Sequence, residues 1–121
     1  MPTILVAEDS LTARIFLRHL LLEALPSASI LEAEDGMTAL KAMTQSKVDL
    51  IVTDLMMPGM DGQSLLNVLR RNPMFRTKPV LIVSGATQIL DPSHADDRHL
   101  KVLPKPPHLE QIQRALQSLL G

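Results

Sequence analysis

Along this chain, short runs of consecutive apolar residues alternate with longer stretches in which apolar positions recur every three or four residues. The short runs are Thr3 to Ala7, Ser29 to Ala33, Leu50 to Thr53, Pro79 to Val83 and Leu100 to Leu103. Each is too short for an ordinary helix and is bounded by polar or turn-forming residues, so each reads as a strand, Ser29 to Ala33 being the weakest. Between them the helical period predicts a helix over roughly Leu11 to Leu25, capped by Ser10 and stopped by Pro26. A shorter helix follows Gly36 and runs to about Thr44, with Ala39, Leu40 and Met43 at helical spacing and Glu34 and Asp35 as solvated turn and capping residues. Gln63 to Arg71 forms a third, with Leu65, Leu66 and Leu69 inward and Arg70 and Arg71 placed to suit the helix dipole. His108 to Leu120 forms the last, with Leu109, Ile112, Leu116, Leu119 and Leu120 on one stripe. Thr87 to His99 has almost no apolar period and is interrupted by Asp91-Pro92, so at most a short or mobile helix is expected there.

Five strands alternating with helices predict an α/β fold: a five-stranded parallel sheet with right-handed crossovers and helices on both faces. The natural order for five such units is 2-1-3-4-5, a flavodoxin-like three-layer sandwich in which strands 1 and 3 are neighbours. The first helix is apolar over more of its surface (Leu11, Ala13, Ile15, Phe16, Leu17, Leu20, Leu21, Leu22) than one buried stripe requires. A well-covered helix is the preferred reading, with a homodimer contact as the alternative.

That strand order gives the strand ends a chemical meaning, because parallel sheets bind ligands at the carboxyl ends of their strands. Strand 1 runs into Glu8 and Asp9, and strand 3 delivers Asp54 into a loop broken by Pro58, Gly59 and Gly62. Three carboxylates in one crevice repel, so some stay protonated or a cation joins them. A hard divalent ion such as Mg²⁺ is the economical solution, and a loop carbonyl after Asp54 could add an oxygen. Zinc is disfavoured by the lack of cysteine and of histidines at ligand spacing. Strands 4 and 5 end in Ser84 and Lys105. A carboxylate, a metal, a hydroxyl and a lysine are the parts needed to move a phosphoryl group, with Asp54 as nucleophile. Singly, each residue reads as a cap, a turn residue or a solvated charge; the joint pattern carries the assignment. No phosphate-binding glycine loop is present, so a nucleotide donor bound by this chain is not expected.

Composition narrows the class further. The 121 residues suit one domain spanning residues 1–121, and the initiating Met and the ending after the last helix fit both a stand-alone protein and the N-terminal piece of a longer one. Net charge is −1 and Phe16 and Phe75 are the only aromatic residues, so neither a basic face nor stacking rings for direct nucleic-acid binding are expected. No apolar run reaches the roughly 18 residues of a membrane span, and no signal peptide is visible; a cytoplasmic protein is expected.

Several stretches carry a family resemblance over essentially the whole length: Ile4 to Ser10 with Arg14 downstream, Asp54 to Gly62, Ser84, and Lys105-Pro106. In these the sequence resembles the CheY-like receiver domain of two-component response regulators, the Asp54-Leu55-Met56-Met57-Pro58-Gly59-Met60-Asp61-Gly62 loop being the specific part. The resemblance implies a phosphoacceptor signalling domain rather than an enzyme. Asp54 would take a phosphoryl group from a phosphohistidine on a histidine kinase or histidine phosphotransfer protein and so alter binding to a downstream protein. It implies Mg²⁺ held by Asp9, Asp54 and the main-chain carbonyl of Met56, with Glu8 acting through water. Ser84 and Lys105 would bind phosphoryl oxygens, Asp61 would cap the third helix, and the Lys105-Pro106 bond is often cis in such proteins. Three features depart from the pattern: Val102 stands where an aromatic switch residue is usual, Pro107 replaces a bulky apolar residue, and Thr87 to His99 lacks the usual Ala-Gly pattern. They motivate one alternative, a degenerate receiver acting as a phosphorylation-independent scaffold. A second, an aspartyl-phosphate phosphatase, wants an Asp where Met56 stands.

Overall fold

The computed structural model describes residues 1–121. Strands β1 (Thr3–Ala7), β2 (Ser29–Ala33), β3 (Leu50–Thr53), β4 (Val80–Ser84) and β5 (Leu100–Pro104) alternate with helices α1 (Leu11–Ala24), α2 (Gly36–Gln45), α3 (Gly62–Arg71) and α4 (Leu109–Leu120). All strand pairs are parallel, in the expected order β2-β1-β3-β4-β5. Side chains on successive strand residues point to opposite faces, so each central strand feeds two cores. Leu5, Ile51 and Ile82 pack with Ala39 and Met43 of α2 and Leu65, Leu66 and Leu69 of α3. Val6, Val52 and Leu81 pack with Leu17 and Leu21 of α1 and Ile112 and Leu116 of α4. This is why the runs in β1, β3 and β4 are continuously apolar, while β2, an edge strand, is only partly covered and reads weakly.

The caps follow local chemistry. Ser10, Asp35 and Asp61 each accept a backbone N–H three residues on, from Ala13, Thr38 and Ser64. In α4, Ile112, Ala115 and Leu116 are buried, whereas Leu109, Leu119 and Leu120 are only half-buried.

Two expectations are corrected. Helix α1 is not well covered: Leu11, Ile15 and Phe16 are 60%, 48% and 45% exposed, because the sheet and α4 take only the face that carries Leu17 and Leu21. Arg70 does more than complement a dipole. Its guanidinium pairs with Asp97 (2.6 Å) and donates to the carbonyls of Phe75, Lys78 and His99.

Between β4 and β5 the chain makes two single 3₁₀ turns, Thr87–Ile89 and Pro92–His94, in keeping with the poor helical pattern. This segment is tied to one polar stripe of α3. The Gln63 side-chain oxygen accepts the Asp91 N–H, Asn67 Oδ1 meets His94 Nε2 at 2.7 Å, and Arg70 holds Asp97.

Candidate functional site

The register brings the strand ends together. Ala7 and Thr53 are partners across β1 and β3, so the next residues, Glu8 and Asp54, emerge side by side beyond the carboxyl edge of the sheet. Ser84 and Pro104 are partners across β4 and β5, and the Lys105 N–H bonds to the Ser84 carbonyl at 3.0 Å. Lys105 therefore leaves β5 close to Ser84, through a cis Lys105-Pro106 bond.

Backbone contacts fix the loop after Asp54. The Met56 N–H donates to Asp54 Oδ1 (3.0 Å), the Thr53 hydroxyl to the Asp54 carbonyl (3.1 Å), and the Gly62 N–H to the Leu55 carbonyl (3.3 Å). Gly62 packs so tightly beneath Asp54 that a Cβ there would lie 1.9 Å from the Asp54 carbonyl oxygen. Gly36, at the start of α2, is similarly confined: its N–H bonds to the Met60 carbonyl and a Cβ would lie 2.3 Å from that oxygen. Two glycines thus allow the loop to lie flat against α3 and α2 and present the Asp54 carboxylate upward.

The charges are arranged around Lys105. Its ammonium sits 2.5 Å from Glu8 Oε1 and 2.6 Å from Asp54 Oδ2, with Glu8 1% exposed and Asp54 7%. Burial alone would raise the Asp54 carboxyl, but hydrogen bonds from Lys105, the Met56 N–H and Ser84 outweigh it and hold Asp54 below the usual carboxylate value. Burial dominates at Glu8; the Lys105 hydrogen bond opposes it, contact with Asp9 adds to it, and the carboxyl is left raised. Burial would lower Lys105, but Asp54 and Glu8 together hold it above its usual value. The same lysine thus leaves the two carboxyls shifted in opposite directions, Asp54 down and Glu8 up.

Of the sequence-predicted residues, Glu8, Asp54, Ser84 and Lys105 converge, and Ser84 is fully buried, its Oγ accepting the Ala86 N–H at 3.2 Å. Asp9 lies exposed at the rim. The carboxylates do not stand as a three-membered metal cage, since no three acidic or histidine side chains are grouped closely enough to hold an ion as they lie. Repulsion between Glu8 and Asp54 is relieved by the Lys105 ammonium, a solution the sequence reading of the acid cluster did not weigh. The donors nevertheless suit a hard cation. All are oxygens, and the ammonium held between two buried carboxylates marks a place where positive charge is favoured.

The model for "response regulator receiver domain" matches residues 4–117 of the chain. The chain belongs to the response regulator receiver family. It is similar to the chemotaxis protein CheY of Pseudomonas aeruginosa, 32% identical over 123 residues that cover 98% of each protein. It is also similar to the cyclic di-GMP phosphodiesterase response regulator RpfG of Xanthomonas campestris, 33% identical over 81 residues. That match covers 67% of this chain but only 21% of RpfG, so the chain spans about a fifth of that relative. Among solved structures, chemotaxis protein CheY4 of Vibrio cholerae superposes with a TM-score of 0.82 at 25% identity, covering 98% of both chains. As a receiver domain of two-component signalling, the chain falls in a class of phosphoacceptor modules that interact with histidine kinases and downstream targets and generally bind Mg²⁺ in their acidic pocket. No helix of this receiver domain is long and apolar enough to cross a membrane.

Sequence reasoning left two site neighbours without a role. Arg14 is buried and donates to the Glu8 carbonyl and to Glu32, and Glu32 itself looked like any polar residue of a half-exposed strand. Arg14 entered the sequence reading only as part of the family resemblance, with no task attached, and nothing local marked Glu32.

Proposed function

We propose that this receiver domain accepts a phosphoryl group on Asp54 from a phosphohistidine of a histidine kinase or histidine phosphotransfer protein, and that this switches its binding to a downstream protein. The observation that carries the reading is the Lys105 ammonium bridging Glu8 and an Asp54 held ionised at the sheet's carboxyl edge. An ionised Asp54 needs no base: its oxygen forms the P–O bond while the P–N bond breaks and its electron pair returns to the imidazole. Asp9, Asp54 and the Met56 carbonyl would hold Mg²⁺, with Glu8 acting through water. When bound, the ion would draw negative charge off the phosphoryl oxygens. Lys105 would turn from the carboxylates to a phosphoryl oxygen, and Ser84 would bind another. Val102, half-buried on β5 and packed against the core shared with α2 and α3, has no ring to swing. The response therefore starts at Ser84, which must give up its bond from Ala86 in order to turn. Slow loss of the phosphate by the domain itself and a cytoplasmic setting belong to the same reading.

The constitutive scaffold has no support at this site, where the phosphoacceptor, hydroxyl and lysine all converge. Incubation with Mg²⁺ and acetyl phosphate, followed by intact mass analysis, should add one phosphate to the wild type and none to Asp54→Asn. A wild type left unmodified where a control receiver is labelled would remove the proposal.

A further inference from the structure

At the end of β3 the Asp54 carbonyl takes the hydroxyl of its own neighbour, Thr53, whereas the matching carbonyl at the end of β1 is held from another element. Beyond Ala7 the chain has left the sheet, so the Glu8 carbonyl has no strand to accept from. Its partner is a side chain: Arg14, in the second turn of α1, donates from one terminal nitrogen to the Glu8 carbonyl at 2.8 Å in a buried contact. The same guanidinium donates through Nε to Glu32 on β2, also at 2.8 Å. On its other side, the Glu8 N–H is held by the Ala33 carbonyl at 3.0 Å. The peptide joining Glu8 to Asp9 is therefore fixed by a rigid planar fork anchored on the neighbouring strand, and Glu32 is the anchor.

We propose that Arg14, aimed by Glu32, is a positioning residue for divalent-cation binding: it sets the Glu8-Asp9 peptide so that Asp9 at the rim can face Asp54. This rests on the reading of the site as a Mg²⁺ site and adds two residues that touch neither ion nor phosphoryl group. Groups that orient a metal's ligands commonly change affinity 10- to 100-fold when removed. Charge and position make opposite forecasts. A cation near the acidic pocket repels Mg²⁺, so if Arg14 acted only as a charge, its removal would tighten binding. If it acts by position, removal weakens binding despite the lost repulsion. A lysine keeps the charge but, as a point ammonium, cannot reproduce the fork that joins a carbonyl to a carboxylate.

The test is Mg²⁺ titration of ¹⁵N-labelled protein, reading the Asp9 and Asp54 amides, with thermal unfolding of each metal-free variant alongside. Arg14→Met and Arg14→Lys are both expected to bind Mg²⁺ about tenfold more weakly than wild type. Glu32→Gln, which loses the charge but keeps an acceptor for Nε, should stay near wild type. Glu32→Ala, which loses the same charge and the acceptor, should weaken binding severalfold relative to Glu32→Gln at an equal melting temperature. Binding by Arg14→Met as tight as wild type or tighter, or equal binding by the two Glu32 variants, overturns the proposal. Should Arg14→Met fail to fold, the Glu32 pair decides alone. A wild type that binds no Mg²⁺ overturns the site reading as well, so the two failures are distinguishable.

Discussion

Replacing Lys105 with Met tests whether the ammonium is the cation that allows two buried carboxylates to coexist. The substitution keeps the stem and deletes two charged hydrogen bonds, at 2.5 and 2.6 Å. Each such bond contributes about 1.5 to 3 kcal/mol, and removing one partner of a buried pair costs about 3 to 5 kcal/mol because the other is left uncompensated. Lys105 retains 30% side-chain exposure, so water relieves part of the loss and the lower end applies, about 3 kcal/mol in metal-free protein at pH 7. That is a substantial share of the roughly 5 to 15 kcal/mol of a typical domain. Urea unfolding in EDTA measures it directly. Because Asp54 is held below its usual value, its part of the stabilisation exists above about pH 4 and is lost as pH falls through the lowered value. Because Lys105 is raised, its part is complete below about 10.5 and is lost as pH rises through the higher folded value. The gap between wild type and variant should thus be open through the neutral range and close at both extremes. Mg²⁺ adds a second arm. A bound ion would compete with the ammonium for the charge of Asp54 and Glu8, so Lys105→Met should bind Mg²⁺ at least as tightly as wild type and recover most of its lost stability in saturating Mg²⁺. Its phosphorylation should slow by about a hundredfold, the usual scale for losing one charge-stabilising donor. Equal stability of variant and wild type in EDTA, or weaker Mg²⁺ binding by the variant, would refute the reasoning.

Three further outcomes are expected. Arg70→Ala should cost about 3 to 5 kcal/mol by urea unfolding, because a nearly buried charge pair and three carbonyl contacts go together, while Arg71→Ala next to it should stay within about 0.5 kcal/mol. At Asp97, burial would raise the carboxyl, but Arg70 and the His99 N–H outweigh it and hold it low. Its stabilisation should be present above about pH 4 and be lost as pH falls through the lowered value, so the protection of amides over residues 91–99, taken relative to their intrinsic exchange rates, should fall in acid for wild type and change less with pH in Asp97→Asn. Gly62→Ala, whose Cβ meets the Asp54 carbonyl, should destabilise by about 3 kcal/mol and displace Asp54, the proposed phosphoacceptor, read as a fall in labelling by acetyl phosphate even at temperatures where the variant is fully folded.

The helices and strands were legible because the pattern that signals them is the cause of their packing. Leu65, Leu66 and Leu69 lie on one stripe because α3 has one buried face, and β3 is apolar throughout because both its faces are covered. Asp54, Ser84 and Lys105 were legible as candidates for a related reason. A polar residue closing a buried strand must emerge at the sheet edge, and the strand order brings those edges together. The acid cluster was less so. Sequence spacing could count carboxylates but could not show that Lys105, 97 residues from Glu8, places its ammonium between two of them.

The sequence by itself therefore determined the alternation of elements, the sheet order and the set of groups at its carboxyl edge, since these follow from periodicity, turn chemistry and connection rules acting over short stretches of chain. Only the tertiary structure decided which charge answers which. The lysine bridge of Glu8 and Asp54, the Arg14 fork to Glu8 and Glu32 and the Arg70 tether of Asp97 each join distant residues through side chains whose direction no local pattern encodes. In a buried pocket such long-range pairings set which carboxylates are ionised, because electrostatic energy depends on distance and burial and hardly at all on separation along the chain.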